Sequence, residues 1–270
     1  MLVTLLTRPC LLVLLVALML GSKPAAAGEH KIDAFAELGP NLTDNAFFSE
    51  TDEQGDGLFI PAYGIQFAGP LSDSFSYYAR IFLNNERHDL FTDLNGELAA
   101  ALIDVKYSNG PWSVKGRYYP QFSYSENFSQ FQIGLYDYYL TVTRSYEHGK
   151  LWMAPKFLVI RTQSTSASSE RTRAGVGLDV SYTLVENKIL LNFGWVTNIA
   201  LYDEPVDGID RRDWRHQFYT GFSWTINDRF STGIDIAFAR NDSTIENASW
   251  SRFDVTPLAN LTMKLGRIQQ

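Results

Sequence analysis

Phe230, Thr232, Ile234, Ile236 and Phe238 alternate along the chain with Ser231, Gly233, Asp235 and Ala237. A period of two is that of a β-strand with one apolar and one polar face. Just before it, Phe218, Thr220, Phe222, Trp224 and Ile226 oppose Gln217, Tyr219, Gly221, Ser223 and Thr225, and Asn227-Asp228 between the runs supplies a tight hairpin turn. Ala174, Val176, Leu178, Val180, Tyr182 and Leu184 repeat the pattern against Arg173, Gly175, Gly177, Asp179, Ser181 and Thr183. After a short turn at Val185-Glu186-Asn187, the apolar face resumes with Ile189, Leu191, Phe193, Trp195 and Thr197. Helical spacing is almost absent. Extended over the chain from residue 30, the alternation predicts about twelve strands, near 31–38, 58–68, 74–84, 96–108, 112–124, 132–144, 151–162, 172–184, 188–200, 214–226, 229–240 and 252–266. The run at 151–162 is apolar on both faces, so its parity stays open: Lys156 and Arg161 cannot share a side.

The links between these strands alternate in length. Short ones fall at 69–73, Ser108-Asn109-Gly110, 146–150, Val185-Glu186-Asn187 and Asn227-Asp228, with long polar segments between them at 39–57, 85–95, 125–131, 163–171, 202–213 and 241–251. A soluble sandwich or propeller has no reason to sort its loops by parity. Short turns at one end and long loops at the other, on an even number of strands, point to an all-β chain: a closed antiparallel up-and-down transmembrane β-barrel of about twelve strands. Near the short turns Phe67, Phe75, Tyr107, Trp112, Tyr182, Trp224 and Phe230 all fall on the apolar face, where an interfacial girdle belongs.

The first 27 residues read differently. Arg8, an apolar run over 11–20 and Ala25-Ala26-Ala27 before Gly28 have the layout of an export signal, with cleavage expected after Ala27 and the barrel domain over 28–270. That apolar run is shorter than the roughly 20 residues a helix needs to cross a bilayer. The single cysteine, Cys10, would leave with the leader, so no disulfide, thiolate metal site or cofactor is expected in the mature chain. The net charge is −7, and the leader holds only bases, so cleavage makes the chain more acidic still. An acidic surface argues against nucleic acid as a partner.

Inside such a barrel the polar face gathers charges of both signs: Lys31, Asp33, Glu37, Arg80, Asp104, Lys106, Lys115, Arg117, Asp137, Arg173, Asp179, Arg215, Asp235, Asp254 and Lys264. Ionised groups persist there only if wet or paired. Two readings follow: a salt-bridged filling, or a narrow polar channel whose wall charges select small hydrophilic solutes. The long loops are acidic, with Asp44, Glu50, Asp52, Glu53 and Asp56 in the first and Asp203, Glu204, Asp207, Asp210 and Asp213 around Arg211-Arg212 in the fifth. These are expected to be solvated, or to share divalent cations with lipopolysaccharide phosphates. Residues 52–57 lack EF-hand spacing.

Taken together, these strands and loops resemble, as a class, the porin-like outer-membrane β-barrels of Gram-negative bacteria. The resemblance covers about residues 31–266 and carries no family-defining motif. It implies outer-membrane lipid, lipopolysaccharide and the barrel-insertion machinery as partners, and passive transport of small hydrophilic solutes or export of a polymer as function; the alternatives are an outer-membrane lipid hydrolase, or a closed structural or adhesive barrel acting through its extracellular loops. One departure is the end of the chain, Leu265-Gly266-Arg267-Ile268-Gln269-Gln270, which lacks the terminal aromatic usual in the class and suggests a short tail. Signs of catalysis are few, and no catalytic residue is assigned. His30 lies at the very start of the mature chain, and His88 and His148 are expected to be solvated rather than catalytic. His216, on the lipid side near Asp213 and Ser249, is the one histidine placed where an outer-membrane lipid hydrolase holds its base. Ser108-Asn109-Gly110 shares the order of a phospholipase motif, but Tyr107 precedes it in place of a histidine.

Overall fold

The computed structural model describes residues 29–49, 53–206, 208–245 and 247–269. The expected leader and Glu50, Asp52 and Asp207 lie outside these. The described chain runs β1 (Glu29–Leu38), β2 (Pro40–Thr43), β3 (Asp56–Phe59), β4 (Ala62–Pro70), β5 (Phe75–His88), β6 (Gly96–Asn109), β7 (Trp112–Ser125), β8 (Phe131–Arg144), β9 (Tyr146–His148), β10 (Leu151–Ser164), β11 (Arg171–Val185), β12 (Ile189–Tyr202), β13 (Arg212–Thr225), β14 (Phe230–Ser243) and β15 (Trp250–Gln269). Three single-turn 3-10 segments sit in the long loops.

All pairings are antiparallel: β1 pairs with β4, β4 through β8 pair in succession, β8 pairs with β10, β10 through β15 pair in succession, and β1 also pairs with β15, from Glu29 opposite Gln269 to Leu38 opposite Ala259. The sheet therefore closes. With β2 continuing β1, β3 leading into β4 and β9 extending β8, the wall is a twelve-strand barrel. Closure satisfies every strand edge, which is what lets a sheet sit in hydrocarbon. Both ends of the described chain lie at the short-turn rim, since Glu29 and Gln269 face each other there.

The short turns follow from local chemistry. Gly110, Gly149 and Asn187 adopt φ of +54°, +58° and +56°, a left-handed backbone that glycine takes freely and asparagine tolerates. At 226–230, Asn227 Oδ1 accepts from the backbone N–H groups of Arg229 and Phe230 at 2.9 and 3.0 Å, closing the turn on itself.

Two expectations are corrected. The first long loop is not simply solvated: β2 and β3 pair with each other, β2 reaches β15 (Leu42 opposite Val255) and β3 reaches β5 (Leu58 opposite His88). Asn45 anchors it. Its buried side chain donates to the carbonyls of Ser49 at 2.6 Å and Ser251 at 2.7 Å, and accepts from Ser49 N–H. The end of the chain is no loose tail either, because β15 continues to Gln269 as the closing strand.

The outer face carries large apolar residues that protein leaves uncovered, among them Ile81, Ile103, Leu140, Phe157, Val176, Phe193, Phe218, Ile234, Phe253 and Met263. In water such a surface would be untenable, whereas lipid covers it. Near the short turns the girdle is in place: Phe75 and Tyr107 pack with ring centroids 5.0 Å apart, and Arg144 lies over Trp112 and Tyr146 at 5.3 and 5.0 Å. Strand β10 resolves its open parity. Lys156 points inward with Ala154, Leu158 and Ile160, all three buried, while Arg161 points outward at the long-loop rim.

Candidate functional site: the charged lumen

Adjacent strands lie roughly 4.8 Å apart, so side chains two strands apart meet only on the concave face. Four such contacts define the inside. Arg80 Nη2 donates to Glu37 Oε2 at 2.7 Å across β4. Arg173 Nη2 approaches Asp137 Oδ1 at 3.4 Å across β10. The Tyr219 hydroxyl donates to Asp179 Oδ1 across β12, and Phe82 stacks with Tyr119 at 6.4 Å across β6.

The sequence-predicted lumen residues all take inward register, but they do different things. Arg117 clasps the directly opposite Asp104 with two bonds of 2.7 and 2.8 Å, and Lys115 stands 3.9 Å from the same carboxylate. Asp137 accepts from Thr162 Oγ1 at 2.5 Å and Tyr139 OH at 3.3 Å besides facing Arg173. Asp179 is held by Lys156 Nζ at 2.7 and 2.8 Å. Asp254 takes Arg252 Nε at 2.7 Å and Asn41 Nδ2 at 3.1 Å. Lys264 leaves the lumen proper, reaching Asp228 at 3.4 Å on the short-turn rim.

Among the described residues, Lys106, Arg215 and Asp235 have no ion-pair partner. Nor do the last two pair with each other. Asp235 sits opposite Gly221 and Thr256, and Arg215 opposite Asn198 and Asn241, nearer the long loops. Arg80 lies 3.7 Å over the Phe35 ring, so apolar and charged groups share the wall.

Sequence reading missed Lys156, Thr162, Tyr219 and Arg252 as members of these clusters. Tyr219 and Arg252 lie on polar-face parity and were open to recognition; Lys156 was hidden because Leu158 and Ile160 make the inner face of β10 as apolar as the outer.

The interior is uneven along its axis. Towards the short turns Asp235 and Lys106 are exposed although they face inward. Towards the long loops Asp137, Thr162, Ala200, Asp213, Ala239 and Asn241 are all buried, and so are Asp104 and Ala154 nearer the short turns.

At the long-loop rim, several acids expected to be solvated have dedicated partners. Asp56 is enclosed, bonded by His88 Nδ1 at 2.7 Å and Leu90 N–H at 3.0 Å, and His88 Nε2 faces Glu86 at 3.1 Å. His88 is therefore buried, contrary to expectation, because β5 runs through the start of the predicted loop. Asp213 turns inward and is held by Arg211 at 2.8 Å, Ser243 at 2.6 Å and Tyr202 at 3.1 Å. Asp203 pairs with Arg161 at 2.5 Å, and that guanidinium holds its carboxyl below the usual range against the effect of burial.

The hydrolase arrangement does not assemble. His216 faces outward, its Nδ1 2.9 Å from Thr197 Oγ1, whereas Asp213 is on the opposite face of β13. Ser249 Oγ accepts from Ser243 N–H at 3.0 Å.

A closed twelve-strand barrel with an apolar outside and a charged, partly wetted inside has the fold of the porin-like outer-membrane β-barrels. Within it, the chain is similar to an outer membrane channel from Pseudomonas putida F1, with a TM-score of 0.56 and 12% identity over 90% of this chain and 97% of that one. Lower similarity is found to an anion-selective porin from Comamonas acidovorans (TM-score 0.46, 9% identity, 87% of this chain and 100% of that one). A porin in complex with disordered oligogalacturonate gives a TM-score of 0.47 at 6% identity, over 84% of this chain and 98% of that one. At these identities the likeness is one of fold. No family model and no curated protein matches the chain.

Proposed function

We propose that the protein is a narrow outer-membrane pore for passive movement of small hydrophilic solutes, exported by a leader that is removed after Ala27. One observation carries this reading: charged side chains that face the inside of a closed barrel, Asp235, Lys106 and Lys115, are nevertheless accessible to solvent. A filling made only of ion pairs would leave all three dry, and Asp235 and Lys106 matched. In a narrow lumen, wall charge acts on a passing solute at close range and sets its selectivity.

Single-channel recording of the refolded mature chain in planar bilayers, with swelling of liposomes in neutral sugars, tests the reading. Discrete conductance steps and entry of small but not large sugars are expected. A folded barrel that passes neither ions nor sugars overturns it.

A further inference from the structure

We propose that the inner wall of β11 to β13 carries a binding site for an oxyanion, the carboxylate or phosphate group of a small solute, formed by Arg173 and Arg215 with Arg171 beside them. The solute would arrive through the lumen, so the biological role rests on the pore reading; binding itself does not.

Arg173 on β11 and Arg215 on β13 flank β12, where the residues opposite them are Ala200 and Asn198. Small Ala200 leaves a floor between two guanidinium groups. The Nε atoms of both arginines are buried and have no hydrogen-bond partner among the described residues. The charged neighbours that act on Arg215 include Arg173, Arg171 and Arg252, all of one sign. Crowding cations on a partly dry wall is unfavourable unless an anion joins them.

The nearby carboxylates do not supply that anion. Asp137 lies 3.4 and 3.5 Å from Arg173, longer than the roughly 2.7–2.9 Å of a good charge-assisted bond, and Thr162 and Tyr139 already occupy it. Asp213 is taken by Arg211, Ser243 and Tyr202, and Asp254 by Arg252 and Asn41. Arg171 stands over Tyr202 at 5.5 Å and, among the described residues, its side chain bonds only the Ser169 carbonyl at 3.3 Å, through Nη1. Arg215 lies over the Trp250 ring at 5.3 Å, which holds its guanidinium plane in place.

Asn198 Oδ1 is likewise buried without a partner, and because an amide is two-fold its NH2 can turn to an anion equally well. The site thus offers forked donors, matched to planar or tetrahedral oxyanions rather than to a spherical halide.

The test is titration calorimetry of the folded protein in micelles with inorganic phosphate and, separately, succinate, at constant ionic strength set with chloride. Saturable binding of at least one oxyanion is expected, weakened about tenfold or more in Arg215→Gln and Arg173→Gln through loss of a charged hydrogen bond. Arg215→Lys should fall between, keeping charge but losing the fork. Trp250 emission should change on binding, and Trp250→Phe should abolish that change while leaving every arginine in place; this locates the site even if the glutamine variants fail to fold. Absence of saturable binding of both anions to folded wild-type protein overturns the site, as does unchanged affinity in folded variants or an emission change that persists in Trp250→Phe. Binding without conductance leaves the site standing and removes the pore; conductance without binding does the reverse.

Discussion

Ile234 and Asp235 stand side by side on β14 and meet opposite environments, lipid and lumen. Arginine at position 234 should cost roughly 2 to 4 kcal/mol near mid-membrane. Asp235→Asn should stay within about 0.5 kcal/mol, as expected for a solvent-accessible group whose removal leaves no partner stranded. Denaturant unfolding in micelles measures both, and equal tolerance at the two positions would contradict the assigned parity. Asp203 gives a pH signature at the same scale. Its carboxyl in the folded protein lies below the ordinary aspartate value, so the Arg161 anchor stabilises the fifth loop above that value and is lost as pH falls through the folded, lower one. Protease nicking within 203–211 should therefore be slow near neutrality and rise only in strong acid, with Asp203→Asn nicked readily at every pH. If acid leaves the wild-type loop as protected as it is at neutral pH, this anchor is not what holds it.

At the scale of elements, the twelve strands were legible because each exposes one face to lipid, which writes a period of two into most of them. Tertiary pairing was not. The contact of Asp56 with His88 joins residues far apart in sequence, and neither position differs locally from a solvated loop acid or histidine. Strand β10 was ambiguous for a physical reason, since Leu158 and Ile160 fill space inside the barrel where polar residues would mark the face. Glycines separate local from tertiary constraint as well. A Cβ on Gly64 would run into the Ile81 carbonyl, backbone that cannot swing aside, whereas one on Gly116 would meet nothing within 4 Å. Gly64→Ala should cost about 1 to 3 kcal/mol, or more if the strands must part, and Gly116→Ala should be neutral or slightly stabilising. Chevron or equilibrium unfolding of the pair would show it; similar losses at both would mean that β4 and β5 are not so closely apposed.

The whole molecule is defined by an apolar belt around a charged interior, and this should be visible without any knowledge of its solute. Mature protein should sediment with outer membranes and run faster on a gel unheated than boiled, because the closed barrel resists detergent until heated. Recovery as a water-soluble monomer that takes up no detergent would contradict that belt.

The pairing of β1 with β15 has a consequence in time. Glu29 and Gln269 are neighbours in space but stand at the two ends of the described chain, so the last seam cannot be sewn until β15 has been delivered. Local hairpins can form as their residues arrive, yet the joining of the two terminal strands carries the longest loop-closure entropy in the molecule and belongs to the slow class of non-local β pairings. Until that moment two open edges face outward together, each a template for a stranger's strand. The maturing chain therefore has to be sheltered from copies of itself for as long as its ends remain apart.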